Sequence, residues 1–267
     1  MTRVMGILNT TPDSFSDGGL WADTDRAVKR ALEMVAQGAD IIDVGGESTR
    51  PGATAVGVQQ ELDRVLPVVE AIVAETAVTV SVDTSKPEVM AAAVAAGAGL
   101  INDVFALRQA GALATAASLD VPVCLMHMRG QPRDMQVDPF YADVASEVEA
   151  FLLQRAQACE AAGISRAHIL LDPGFGFGKS LQHNIDLFRA LPRLCDGDYP
   201  VLVGMSRKSM LGALTGRPVE DRLAASVAAA VLAARHGAAV VRVHDVAETV
   251  DALKVLQALE TGVHCSR

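Results

Sequence analysis

Short runs of Val, Ile and Leu alternate along the chain with longer segments in which apolar residues recur every three or four positions. The short runs are Val4–Leu8, Ile41–Val44, Val78–Val82, Leu100–Asn102, Val121–Met126, His168–Leu171, Val201–Val203 and Val240–Val243. Their nearly unbroken apolar character predicts strands of a parallel sheet buried on both faces. The longer segments include Asp25–Gln37, Val58–Glu75, Pro87–Ala96, Val144–Ala162, Asp221–Arg235 and Ala247–Leu259. Their Ala content and i, i+3, i+4 spacing predict helices with one face turned inward. Gly38-Ala39-Asp40, Gly97-Ala98-Gly99 and Gly237-Ala238-Ala239 each join such a segment to the next strand. Glycine there suits a left-handed helix C-cap followed by a tight turn. Eight strands, each followed by a helix and with no long polar linker, predict one (β/α)8 TIM-barrel domain over residues 1–267. An open doubly wound sheet is the alternative.

Composition narrows the picture. The chain has 267 residues, half of them apolar, enough to bury a large core without disulfides or metals. Lys and Arg number 23 against 32 Asp and Glu, a formal charge of −9. That balance argues against general nucleic-acid or anionic-membrane binding and leaves room for one local basic pocket. Cys124, Cys159, Cys195 and Cys265 are far apart and form no CxxC, so reduced thiols in a cytoplasm are expected. The most apolar stretch, Ala224 to Ala234, is too short to span a bilayer, and the N-terminus lacks a secretory pattern.

The positions just after the strands carry the chemistry. They are Asn9; Asp43 with Glu47; Asp83; Asn102 and Asp103; His127; Asp172; Ser206, Arg207 and Lys208; and Arg242 with His244. A barrel brings these ends to one rim, where active sites form. Any one of them could merely cap a helix; all eight together favour a functional mouth. Asp83, Asn102 and Asp172 suit the donor-rich edge of a nitrogen heterocycle. Arg242 and His244 alternate on one strand, so Arg242 either meets an anion or pairs with Glu47 or Asp43 across the mouth. Lys208 and Ser209 stand where strand 7 gives way to a helix, a common anion position. Asn9, with anion oxygens and water, could form a sparse Mg2+ site, whereas nothing supports catalytic zinc. His127 is expected to fill the rim.

Asp172-Pro-Gly-Phe-Gly-Phe-Gly-Lys179-Ser180 fails as a phosphate loop, because Pro173 occupies the required first Gly position. It predicts instead a glycine-rich strand-to-helix loop, with Phe175 and Phe177 either packed beneath it or stacked on a planar ligand. Two early loops, Thr10–Gly19 and Gly45–Gly52, are rich in Gly, Pro and small polar residues and are suited to moving or to simple solvation.

These residues closely resemble those of the dihydropteroate synthase family, over essentially the full length. The segments are MGILNTTPDSFSDGG (Met5–Gly19), DVGGESTRPGA (Asp43–Ala53), SVDTSKP (Ser81–Pro87), IND (Ile101–Asp103), LMHM (Leu125–Met128), LDPGFGFGK (Leu171–Lys179), GMSRKS (Gly204–Ser209) and RVHDV (Arg242–Val246). The resemblance implies a barrel enzyme that joins 4-aminobenzoate to (7,8-dihydropterin-6-yl)methyl diphosphate, giving 7,8-dihydropteroate and diphosphate. Asp83, Asn102, Asp172 and Lys208 would hold the pterin. Arg242, His244 and Asn9 would hold diphosphate, Asn9 through Mg2+. Phe177 would flank the aminobenzoate, with its carboxylate at Ser209. The early loops would bring in Phe15, Asp17, Thr49, Arg50 and Pro51, with Asp17 and Arg50 among the catalytic residues. A homodimer using late helices and competition by sulfonamides are also implied.

Two departures stand out. Thr10 occupies a position where the family usually has Val, and the chain begins almost at strand 1, so a short N-terminal hairpin is expected to be absent or reduced. The expected chemistry is dissociative substitution at the pterin methylene, with Asp83 and Asp172 stabilising the cation. It would fail if these side chains were scattered or if a permanent internal carboxylate capped Arg242. A pterin-binding methyl-transfer module serving a corrinoid protein would not need Ser206–Ser209 or Arg242 with His244. A pterin-binding paralogue without turnover is the non-enzymatic alternative.

Overall fold

A computed structural model describes residues 2–10, 19–48, 56–131, 135 and 139–262, with backbone alone for 19–23. Eight parallel strands are present: β1 (Arg3–Asn9), β2 (Ile41–Gly45), β3 (Thr79–Asp83), β4 (Leu100–Asp103), β5 (Val123–Met126), β6 (Ile169–Asp172), β7 (Leu202–Val203) and β8 (Val240–Val243). They follow the order β6-β5-β4-β3-β2-β1-β8-β7. A parallel bridge between Leu171 and Val201, with Leu171 N donating to Pro200 O (3.0 Å), joins β6 to the start of β7 and closes the ring. This is the (β/α)8 barrel rather than the open sheet.

The helices are α1 (Gly19–Ala36), α2 (Val58–Glu75), α3 (Pro87–Ala95), α4 (Ala112–Leu119), α5 (Val144–Ala161), α6 (Leu181–Arg189), α7 (Leu191–Cys195), α8 (Ser209–Thr215), α9 (Leu223–Arg235) and α10 (Val246–Thr261). α2 shows why they pack as they do: Val65, Val68, Val69 and Ile72 form one buried stripe against the sheet. Each such side chain contributes about 1.5–3 kcal/mol by leaving water. Gly38, Gly97 and Gly237 take φ of 99°, 107° and 94°, so the three repeated turns have the left-handed geometry expected of them. β5 starts two residues later than its apolar run because Pro122, which has no N–H, can only accept there, from Ile101 N (2.9 Å).

Inside the barrel, Met5, Ile41, Leu100, Cys124, Leu170, Leu202 and Val240 pack as one apolar layer. Two residues further along several strands, inward positions turn polar. Asp43 lies in register with Ser81, Asp83 with Asn102, and Asp172 with Met126. The apolar layer thus forms the floor of a polar mouth at the strands' C-terminal ends. Cys124, Cys159 and Cys195 are free thiols, and Cys265 lies outside the described residues. Among the described residues no helix is long and apolar enough to cross a membrane.

Candidate active site

Directly above the apolar floor lies a network of paired ionic groups. Arg242 Nε donates to Asp43 Oδ2 (2.6 Å), and an Arg242 Nη donates to Asp83 Oδ2 (2.9 Å). Asn102 Nδ2 donates to the same Asp43 oxygen (3.1 Å). The register explains the convergence: β2, β3 and β4 are neighbours, and Arg242 reaches across from β8. Burial, against the pull of Arg242, pushes the Asp83 carboxyl up to about 7, with Asp43 adding like-charge repulsion. Burial lowers the Arg242 value, but Asp43 and Asp83 more than offset this and hold the guanidinium charged.

Of the partners open to Arg242, the cross-mouth pair with Asp43 is the one that forms, with Asp83 as a second acceptor. Two of its three nitrogens serve internal carboxylates, the internal pairing that bears on the expected chemistry, and three of its five N–H groups are not used in these two bonds. Glu47, the other candidate partner, is taken by Lys86, which also binds the buried Glu61. Glu47 Oε1 meanwhile accepts from Val56 N (3.3 Å), bracketing the loop after β2.

Asp172 and Lys208 form the opposite wall. Asp172 Oδ1 accepts from Gly174 N (2.7 Å), and burial raises its carboxyl, with Lys208 opposing the rise. Lys208 Nζ donates to Phe175 O and lies 4.4 Å from the centre of the Phe177 ring. Burial brings its ammonium down to about 8, with Asp172 resisting. The preceding Arg207 has φ 59°, its N–H donates to Ser226 Oγ (2.9 Å), and its guanidinium binds Asp245 on the outside. Arg207 is therefore a fixed corner and is no part of the mouth. The two aromatics divide: Phe175 is fully buried against Phe188, whereas half-buried Phe177 packs on Val104, Met126, Met128 and Met135 at the rim.

The loop carrying them is wound about a side chain whose role the sequence did not signal. Lys179 turns inward, donating to Gly174 O (2.9 Å) and Phe177 O (3.1 Å), with His127 Nδ1 at 2.9 Å. Burial drives its ammonium well below the usual range and holds His127 near 2, so the imidazole is neutral. Gly174 and Gly178 have φ of 65° and 64°, and a Cβ on either would strike a backbone carbonyl, of His127 or Arg129 respectively. Tyr141 Oη donates to Gly178 O (2.9 Å), and Asn184 Oδ1 accepts from Gly176 N (2.7 Å). Asp103 is likewise structural: Ser85, Phe105 N and Leu107 N donate to it, holding Ala106 and Leu107 at positive φ.

His244 follows β8 directly. Ser206 Oγ accepts from His244 N (3.2 Å) and lies 3.0 Å from His244 Nδ1. Ser209 opens α8, with Lys208 as the preceding cap residue. Phe15, Asp17, Thr49, Arg50 and Pro51 lie outside the described residues.

Asn9 ends β1 beside Gly45, and a Cβ built on Gly45 would fall 3.9 Å from Asn9 Oδ1 and 3.8 Å from Asp83 Oδ2. Absence of a side chain at Gly45 keeps this corner of the rim clear. A single neutral amide oxygen beside an acidic wall fits Mg2+, which takes few protein ligands and completes its shell with water and substrate oxygens. The described residues contain no cluster of three or more His, Cys, Asp or Glu able to hold a metal by themselves.

Comparison with known proteins gives a consistent answer. Residues 5–244 match the family described as pterin binding enzyme. The chain is 54% identical over 256 residues to dihydropteroate synthase of Escherichia coli (strain K12), covering 96% of this chain and 91% of that protein. Among solved structures, Xanthomonas albilineans dihydropteroate synthase with 4-aminobenzoic acid superposes with a TM-score of 0.92 at 59% identity, covering 97% of this chain and 93% of that one. The X. albilineans enzyme in complex with 7,8-dihydropteroate gives a TM-score of 0.88 at 55% identity, covering 97% and 94%. The fold, the buried polar mouth and these likenesses together establish that the chain belongs to the pterin-binding enzymes, in the dihydropteroate synthase family of transferases.

Proposed function

We propose that the mouth condenses 4-aminobenzoate with (7,8-dihydropterin-6-yl)methyl diphosphate by dissociative substitution. The observation that carries this reading is the pairing of Asp83 and Asn102 on one wall with Asp172 and Lys208 on the other, above an apolar floor. Such walls suit a flat bicyclic ring rich in N–H donors and bearing one carbonyl. The solved relatives, one with 4-aminobenzoic acid and one with 7,8-dihydropteroate, support the choice of substrates.

In this mechanism the methylene–oxygen bond breaks first, and diphosphate leaves with the electron pair. The electron-rich dihydropterin delocalises the resulting cation, and Asp83 and Asp172 stabilise it electrostatically. The aminobenzoate nitrogen then bonds to the methylene carbon and gives its proton to water. The leaving diphosphate meets the His244 side chain and the N–H groups of Arg242 that are not spent on Asp43 and Asp83. Phe177 flanks the aminobenzoate, and Ser209 is the partner proposed for its carboxylate. Asn9 would hold Mg2+, which when bound neutralises diphosphate charge and improves the leaving group.

A homodimer through the late helices belongs to the same reading. Leu214, Leu223, Leu232, Val255 and Leu259 on α8–α10 are exposed and support it. The methyl-transfer alternative gains nothing from Ser206, Lys208 and His244 as arranged here. The deciding experiment measures diphosphate release from both substrates, with and without Mg2+. Release that requires both substrates and rises with Mg2+ is expected. No release, alongside methyl transfer from methyltetrahydrofolate, would overturn the reading.

A further inference from the structure

We infer that Asp43 is a positioning residue that sets the hydrogen-bonding polarity of the mouth, fixing Asn102 so that its amide oxygen faces the ligand. This rests on the pterin reading and specifies which ring edges the site accepts. Asp43 is fully buried in β2, and one of its oxygens receives both Asn102 Nδ2 (3.1 Å) and Arg242 Nε (2.6 Å). A carboxylate can only accept, so the Asn102 nitrogen must face it. Turning the amide over would set two oxygens against each other in a buried site and leave an Asp43 lone pair unanswered.

Asn102 Oδ1 is the group left for a ligand, and no described residue donates to it. A lone asparagine would accept from an N–H or donate to a bare ring nitrogen with equal ease. Tethered to Asp43, it selects a heterocycle that presents N–H at that point. Arg242 shares the same oxygen, so one carboxylate sets both the ring reader and the cation beside it. Among the described residues the second Asp43 oxygen is buried with no partner, as is Ser81 Oγ in register with it, so none of them holds Asp43 in place on that side.

The test compares D43N with D43A in the full-length protein. The amide oxygen of D43N can stand where the shared carboxylate oxygen stands and accept both donors, whereas D43A removes it. D43A is expected to raise KM for the pterin diphosphate about tenfold while KM for 4-aminobenzoate stays within about twofold. D43N should recover most of that loss, and N102A should add little in the D43A background. A folded D43A with wild-type pterin KM, or multiplicative effects of D43A and N102A, would overturn the proposal.

Should D43A not fold, the wild-type protein supplies the second measurement. The Asn102 side-chain amide protons, assigned by their loss in N102D, should exchange slowly with D2O. Rapid exchange would refute the tether. That readout needs no turnover, so it separates failure of this inference from failure of the proposed reaction.

Discussion

Asp83 and Lys208 set the pH behaviour of the mouth. With Asp83 pushed up to about 7 and Lys208 brought down to about 8, both by burial, the ionised pair exists over a narrow range. The expected profile of kcat/KM for the pterin diphosphate is a bell, rising as Asp83 loses its proton and falling as Lys208 loses its own. K208R keeps its charge and should flatten the alkaline limb while the acid limb stays. An alkaline limb unchanged in K208R would assign that titration elsewhere. Arg242 leads to a different outcome. Removing it strands Asp43 and Asp83 without their cation, so R242A should lose about 3–5 kcal/mol of stability by denaturant titration. Loss of turnover in R242A therefore combines leaving-group and folding effects.

The segment between β6 and α6 shows how a motif can be legible while its internal logic is not. Its glycines mark a loop, and a loop is what forms. Nothing in the letters shows that Lys179 turns inward, because lysine is ordinarily exposed and its acceptors here are backbone carbonyls, which any residue supplies. G178A would place a Cβ on Arg129 O at a left-handed φ. It should cost about 1–3 kcal/mol and lower kcat/KM by displacing Asp172 and Phe177; wild-type stability and kinetics would show that the loop yields freely.

The strands were legible because a buried parallel sheet needs continuous apolar runs, and the strand-end residues followed from them. α4, α6, α7 and α8 were not among the helices given bounds, being short enough to display little period. The choice between Asp43 and Glu47 as the Arg242 partner also stayed open, since only register and the competing Lys86 decide it.

Across the whole molecule the buried acids make stability depend on pH in a definite direction. Asp83 has a higher pKa folded than unfolded, so between about pH 4 and pH 7 the native state holds the proton more strongly. Its contribution is present at low pH and is lost as pH rises through about 7. His127, held near 2, acts in the opposite sense and favours the native state as pH climbs to its unfolded value, about 6.5. D83N should remove the first contribution alone, so the stability difference between wild type and D83N should shift toward D83N from pH 5 to pH 7.5 in chemical melts. A constant difference would mean that Asp83 titrates normally.

The ring of strands is unevenly stitched. Most neighbours share three to five register pairs, but β7 and β8 share two, and β6 meets the start of β7 through one bridge. Asp172 hangs on one side of that seam and Lys208 on the other, whereas Asp43, Asp83 and Asn102 sit on the firmly laced arc. Compliance is therefore concentrated within the Asp172–Lys208 wall, one of the two that must admit a planar guest. The molecule can widen like a clasp at its weakest stitch while the side that judges the ring's identity keeps its shape.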